Sequence, residues 1–372
     1  MLYSEAVKLI LESLGRKDEV EYYLKRFRSE DDNFFSIIVP DYDTLNFFWE
    51  AFLLPMEILS KLELFPIIFI GGPNSLQYIE KFKVYNFFEL ITNYDKIIHK
   101  NESIKNKIPV IFANEMFIKF YYNYNQFLPK RIHFVRNNGN IKNKDNQNLF
   151  KIEPYLDFEQ NWMIKSNLLK KYNYLSDDIG IYLYCSHLFY LFKNIHISIT
   201  SSFFLLKELF TIKGAGTLIR KKVNIIHLKK NQIDDKLKTY LKEKIELYFN
   251  KKLKLNALEK ITDIIFDESY ESFIILEQKP FAYYLSKFAV SIDARGKGIA
   301  QDLWDYVESL NYPLFWKTRK NNSIKKWYEK ISDGLIRYEN YIIFWKNLSY
   351  KEIPKIMDFI IKRGSDFYEE EF

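Results

Sequence analysis

The chain has 372 residues, and 48% of them are apolar, which makes it too long for one ordinary core and too hydrophobic for wholesale disorder. Its net charge of +7 comes from lysines scattered among acidic residues, as in 236–244, so they read as solvated helix faces and form no basic stripe for nucleic acid. A single cysteine excludes an internal disulfide, five histidines show no metal-ligand spacing, and no apolar run approaches the roughly 20 residues of a membrane span.

The opening stretch MLYSEAVKLILESLG has acidic residues early and no small-residue cleavage site. It reads as an amphipathic helix, not a signal peptide, and a cytoplasmic protein is expected. Helical spacing runs over residues 5–27 with a break near Gly15. FFSIIVP (34–40) is a short buried-type strand stopped by Pro40, and a helical run over Leu45–Leu62 follows. FPIIFIGGPN (65–74), IPVIFA (108–113) and IHFVRNNGN (132–140) are further strands, the first and last entering glycine-containing loops. Strands alternating with helical segments predict a largely parallel α/β sheet. Residues 137–149 read as a polar loop, and apolar neighbours around Cys185 predict a buried, inert thiol.

A boundary falls near 214–222, where a Gly-Ala-Gly-Thr segment precedes a basic run. Beyond it lie VNIIHL (223–228), a charged helix around 233–250, and ESFIILEQ (271–278). Next, Arg295-Gly296-Lys297-Gly298-Ile299-Ala300 spells R-x-x-G-x-A between the strand KFAVS (287–291) and the helix DLWDYV (302–307). Strand, glycine turn and helix together suit a pyrophosphate: backbone N–H groups at a helix N-terminus face the anion, and glycine lets the backbone approach. It resembles the turn by which acetyltransferases hold acetyl-CoA.

Around that turn the chain resembles the N-acetylglutamate synthases of the vertebrate-like and bifunctional synthase–kinase type. The resemblance is carried by Tyr284-Leu285-Ser286-Lys287-Phe288, by Phe315-Trp316-Lys317-Thr318-Arg319-Lys320-Asn321-Asn322, by Trp327-Tyr328, and by Ser332-Asp333-Gly334 with Phe344-Trp345. LLKELFTIKGAGTLIRK (205–221) resembles the end of that family's amino-acid kinase domain. The fold implied is α/β, with a degenerate amino-acid-kinase-like three-layer sandwich over residues 1–216. A GNAT acetyltransferase domain over 217–350 and a helical tail over 351–372 complete it.

The activity implied is acetyl transfer from acetyl-CoA to the α-amine of L-glutamate, in arginine biosynthesis, by a homo-oligomer. Two alternatives stay open: a bifunctional synthase with residual N-acetylglutamate kinase activity, and a non-catalytic regulatory remnant. By the same resemblance, Phe288, Ala289, Val290 and the turn Arg295–Ala300 bind acetyl-CoA, while Lys287, Lys317 and Arg319 bind the glutamate carboxylates. Tyr328 and Asn322 lie near the CoA sulfur, with Tyr328 as the acid for the departing thiolate. Lys317 stands where the family has arginine and lacks its bidentate fork. Glu208, Gly214, Gly216 and Thr217 match a segment that senses arginine in related enzymes, and a helix cap at the start of a linker is the competing reading. The upstream half has Val39-Pro40-Asp41-Tyr42 where the family carries a lysine and two glycines, and no lysine between 172 and 192. Phosphoryl transfer depends on such cations and amides, so loss of kinase activity is expected.

Overall fold

In the computed structural model the chain divides into two compact units, Met1–Lys222 and Val223–Phe372. The residues described are 13, 17–29, 34–94, 106–143, 145–152, 178–192, 195–211, 214–220, 223–291, 294, 298–322 and 324–368. No described helix is long and apolar enough to cross a membrane.

In the first unit, helix α1 (Lys17–Ser29) precedes strand β1 (Ile37–Pro40), helices α2 (Tyr42–Phe47) and α3 (Trp49–Lys61), and strand β2 (Ile67–Gly71). Helix α4 (Ile79–Lys83), strands β3 (Phe88–Ile91) and β4 (Ile108–Ala113), helix α5 (Phe117–Tyr124) and strand β5 (Arg131–Val135) follow. The unit ends with β6 (Lys151–Ile152), α6 (Asp178–Leu191), β7 (His196–Thr200), α7 (Leu205–Phe210) and β8 (Thr217–Ile219). The sheet order is β3-β4-β2-β1-β5-β7-β8-β6, parallel throughout except between β7 and β8. Central strands such as IIVP and IPVIFA are buried along their whole length because helices cover both faces. Ile38, Ile68 and Val110 pack one way against α3 and α7, while Ile37, Ile67 and Ile111 pack the other way against α5 and α6. This is the expected three-layer sandwich. Cys185 lies in the second of these layers, and burial pushes its thiol pKa well up.

The second unit holds β9 (Ile225–Lys229), α8 (Asp235–Phe249), β10 (Asp263–Asp267), β11 (Ser272–Gln278) and β12 (Tyr283–Val290). It continues with α9 (Ile299–Ser309), β13 (Leu314–Arg319), α10 (Lys325–Ile331), β14 (Gly334–Tyr338), β15 (Tyr341–Lys346) and α11 (Ile353–Arg363). Its sheet order is β14-β15-β13-β12-β11-β10-β9, antiparallel except for the pair β12 and β13. One face packs Leu285, Phe288, Leu314 and Trp316 against α9 and α10. The other face is covered in two parts, by α8 over Ile264 and Ala289 and by α11 over Tyr284, Phe315 and Ile343. Helix α8 starts where the Asp234 carboxylate accepts the Leu237 N–H at 2.7 Å, and it stops at Asn250 in the left-handed region.

Two expected boundaries move. Thr217–Ile219 is hydrogen-bonded to β7 and β6, so the first unit runs past residue 216 to 222. Ile356 and Ile360 of α11 are buried with Tyr284 and Phe315, so the segment after residue 350 belongs to the second core and is no separate tail. Leu303 on α9 is fully buried among Trp304, Trp316 and Leu285. Leu303→Ala is expected to destabilise the second unit by about 2–5 kcal/mol. Urea unfolding followed by tryptophan fluorescence checks this, since four of the six tryptophans lie beyond residue 300.

Candidate active site

The site begins with a flaw in one strand. Along β11 and β12 the register shifts between Ile275 and Leu276, because Lys287 faces Ile275 while Leu285 faces Leu276. Ser286 is the extra residue of a β-bulge, which bends its strand and increases the local twist. On the opposite edge, β12 pairs with β13 only at Tyr283↔Leu314 and Tyr284↔Phe315. Beyond that point β13 pairs with β15 alone, out to Arg319. Among the described residues, the β12 edge past Tyr284, including Phe288, Ala289 and Val290, therefore has no ladder partner on the β13 side. Two parallel strands that part in this way leave a wedge lined by backbone N–H and C=O groups.

The bulge also sorts the side chains. Leu285 and Phe288 both reach the α9–α10 face, whereas Lys287 and Ala289 point the opposite way. Lys287 is 4% exposed, and its ammonium donates to the Ser286 carbonyl at 3.3 Å and to the Ser286 hydroxyl at 3.2 Å. Its third partner is the Asp366 carboxylate, just past α11. Lys317 is half-buried; its Nζ donates to the Gly364 carbonyl at 2.7 Å and lies 4.8 Å from the centre of the Tyr341 ring. Lys287 and Lys317, matched only by motif position in the sequence, thus meet one short piece of chain. Arg319, two residues on, is exposed.

Behind the wedge, Gly298 adopts φ +73 and ψ 3, a left-handed conformation that glycine accepts freely, and α9 starts at the next residue. Ile299 is buried and Ala300 packs against the α9 face of the core. Arg295, Gly296 and Lys297 lie outside the described residues. Tyr328 sits on α10 with its ring 5.5 Å from Trp316, 5.6 Å from Phe344 and 5.4 Å from Trp327. Trp327 in turn lies 5.6 Å from Phe288 on β12, which links α10 to the strand that parts. Burial holds the Tyr328 phenol well above its ordinary pKa, so it stays protonated through the neutral range. Asn322 is exposed; its amide donates to the Thr318 hydroxyl at 2.8 Å and its carbonyl accepts the Ile324 N–H at 3.2 Å, shaping the turn into α10.

Residues 224–363 match the family model described as the N-acetyltransferase of N-acetylglutamate synthase. The second unit is a domain of this family. Acetylglutamate kinase of Xanthomonas campestris pv. campestris is 33% identical over 158 residues, covering 41% of this chain and 37% of that protein. The mitochondrial N-acetylglutamate synthase of Homo sapiens is 31% identical over 156 residues, covering 41% of this chain and 29% of that protein. The chain thus spans well under half the length of the curated relatives it matches. A solved N-acetylglutamate synthase from Neisseria gonorrhoeae, complexed with coenzyme A and N-acetyl-glutamate, aligns with a TM-score of 0.46 at 12% identity, covering 89% of this chain and 98% of that one. The family match also runs into α11, consistent with the place of that helix in the core.

The N-acetyltransferase unit carries charged residues near Lys287 that sequence reasoning passed over. Glu277, 1% exposed, is gripped by two guanidinium nitrogens of Arg363 and by Lys279 Nζ at 2.9 Å. Arg363 also reaches Asp366 at 3.2 Å, and its guanidinium carbon lies 5.2 Å from the centre of the Tyr284 ring. The only signal in the sequence was an acidic residue three positions beyond an arginine at a helix end, a spacing too common to single out.

In the first unit, Glu208 Oε2 accepts the N–H groups of Ala215 at 2.6 Å and Gly216 at 2.7 Å, and Gly214 takes φ +66. Thr217 begins β8, and its hydroxyl accepts the Ile141 N–H at 3.0 Å. The structure therefore brings Glu208, Gly214, Gly216 and Thr217 together as one closed turn. A β-carbon on Gly216 would fall 2.6 Å from the Ile199 carbonyl oxygen, which accounts for that glycine by packing alone.

Burial and charge pull in different directions within the buried pair of the N-acetyltransferase unit. Burial works to raise the Asp366 pKa, yet Lys287 and Arg363 hold it below the usual carboxylate range. Burial lowers the Lys287 pKa, and attraction to Asp366 only partly opposes this. The pair therefore favours the aspartate charge while the lysine bears the desolvation cost. A depressed carboxyl pKa contributes stability that is complete above about pH 4 and is lost as pH falls through the folded value. The urea midpoint of wild type should therefore fall more steeply from about pH 5 to about pH 2 than that of Asp366→Asn. Parallel curves would show that the pair carries no such linkage.

Proposed function

We propose that the protein transfers the acetyl group of acetyl-CoA to the α-amine of L-glutamate, giving N-acetyl-L-glutamate and free CoA. The observation that carries this reading is the parting of β12 from β13 beside two converging lysines. Along Phe288, Ala289 and Val290 the strand is open on one edge; the Ala289 N–H faces β11, and the N–H groups of Phe288 and Val290 that face the wedge suit the pantetheine arm and the thioester carbonyl. A donor aimed at that oxygen stabilises the negative charge that grows there as the amine attacks. The turn Arg295–Ala300, leading into α9, takes the pyrophosphate on its amides, with Arg295 and Lys297 adding charge.

Lys287, Lys317 and Arg319 are assigned to the two carboxylates of the acceptor, Lys287 from the bulged strand and the others from β13. Holding both substrates in one wedge converts a bimolecular encounter into an intramolecular one. The amine attacks as the free base, its proton leaving to water; the carbon–nitrogen bond forms, the carbon–sulfur bond breaks, and the sulfur leaves as thiolate. Tyr328, kept protonated by its aromatic surroundings, is assigned the proton that the thiolate takes up. Asn322 holds the turn that delivers α10 and its tyrosine to the wedge.

For the first unit we propose a scaffold without phosphoryl transfer. Asp41 follows β1 and caps the next helix, where a kinase needs donors for phosphate. Its buried carboxylate accepts the Thr44 N–H at 2.7 Å and a further hydrogen bond from the backbone of Asn137. An internal anion thus takes the donors at that turn, and its charge opposes a nucleotide. Arg136 is likewise engaged, with Gly139, Asn140 and Asp178. The engagement of Glu208 by Ala215 and Gly216 supports a structural turn over an arginine-sensing one. Arginine titration against activity separates the two, and unchanged activity at millimolar arginine is expected.

A thiol-release assay with acetyl-CoA and a panel of amino acids tests the main reading. L-Glutamate should be the fastest acceptor, and absence of CoA release with every amino acid would falsify the assignment. Tyr328→Phe should lower kcat by about 100-fold or more and change the KM for glutamate little. Wild-type turnover in that variant would remove the tyrosine from the chemistry.

A further inference from the structure

The chain that follows α11 does what an acidic acceptor is expected to do. Asp366 presents a carboxylate to Lys287, and Gly364 presents a carbonyl oxygen to Lys317 at 2.7 Å. Two of the three cations assigned to the acceptor are thus engaged by one three-residue stretch of the protein's own chain. Arg363 also reaches Asp366 at 3.2 Å, and the stretch is held from the other side by few contacts. The Lys254 N–H donates to the Asp366 carbonyl at 2.9 Å, the Tyr368 N–H donates to the Lys252 carbonyl at 3.0 Å, and the Phe367 ring lies 5.2 Å from Phe249.

Two features let this stretch move while the helix before it stays. Arg363 grips Glu277 with two nitrogens, a contact that does not involve Asp366, so α11 stays anchored when Asp366 leaves. Gly364 adopts φ +66 and ψ −158, a region open essentially to glycine, and no atom lies within 4 Å of where its β-carbon would be. The backbone conformation, not packing, therefore accounts for the glycine there, and a residue without a β-carbon also leaves that point of the chain free to turn.

We propose that residues 364–368 are a strap that fills the acceptor site with an internal carboxylate, and that the acceptor enters by displacing Asp366 from Lys287. This rests on the acetyltransferase reading with a dicarboxylic acceptor. The exchange swaps one carboxylate for another, so Lys287 is never left buried and unpaired, the costly state for a charged pair. The strap also selects: only an acceptor carrying a carboxylate of its own can repay the loss of Asp366. Apparent affinity for the acceptor falls by the fraction of molecules with the strap open.

The test uses the full chain with Asp366→Asn and, as a second variant that leaves the Lys287 partner in place, Phe367→Ala. If the strap is closed in about nine molecules out of ten, Asp366→Asn lowers the KM for L-glutamate about tenfold, and Phe367→Ala lowers it by a smaller factor. A merely structural role for Asp366 would raise KM or leave it unchanged, and that result in both variants overturns the proposal. Amide hydrogen exchange on the wild-type protein supplies a reading independent of turnover. Addition of L-glutamate with CoA should accelerate exchange at Lys254 and Tyr368, and unchanged exchange at saturating glutamate overturns the strap. If no protein releases CoA with any amino acid, the acetyltransferase reading fails by itself. Exchange at the same two amides with L-glutamate or glutarate then still decides the strap.

Discussion

The second unit is organised around a strand that keeps one neighbour and loses the other. β12 remains in register with β11 along its length, apart from the bulge at Ser286, and leaves β13 after two paired residues. A sheet ordinarily satisfies every backbone group of an interior strand, and groups left open in the interior are costly. Here the opening is stabilised by what flanks it: the aromatic group of Trp304, Trp316, Trp327 and Tyr328 on one face, and α8 and α11 on the other. The wedge is thus built by the packing around it, and its open amides become a place for a ligand.

The same bulge explains how an ionised lysine comes to be buried. Without an extra residue, side chains alternate strictly, and Lys287 would share a face with Leu285 in the aromatic core. The inserted Ser286 shifts the alternation, places Lys287 opposite Leu285, and supplies two of its acceptors. Four cations, namely Lys279, Lys287, Lys317 and Arg363, then surround the two carboxylates of Glu277 and Asp366. That excess of positive charge suits an acidic acceptor. The aspartate among them is the one member carried by a hinged segment.

The first unit keeps a complete parallel core beneath loops that its own side chains engage. Its parallel core of isoleucine, valine and phenylalanine is complete, and the loops at the carboxyl ends of the strands are where a ligand would sit. Those loops are tied to one another instead, through Asp41 with the Asn137 backbone and Arg136 with Asp178.

Much of this architecture was legible from residue patterns alone. Runs such as IIVP, IPVIFA and SFIILEQ announce buried strands because β-branched and aromatic residues pack on a pleated surface covered by helices. The glycine turn before α9 was legible because a left-handed backbone at the mouth of a helix selects glycine. Motif order likewise singled out Lys287, Lys317 and Tyr328, although the two lysines meet the chain after α11 while Tyr328 packs on the opposite face of the sheet. Short β3 and β10 were not read, and Thr217–Ile219 was assigned to the wrong side of the boundary, because a three-residue strand has too little pattern to reveal its partner. What only the tertiary structure decided is the company these residues keep. Asp366 lies 79 positions from Lys287 along the chain, and nothing local couples them. They meet because α11 packs over Phe315 and Ile343, and a hinge at Gly364 turns the chain back toward the bulge.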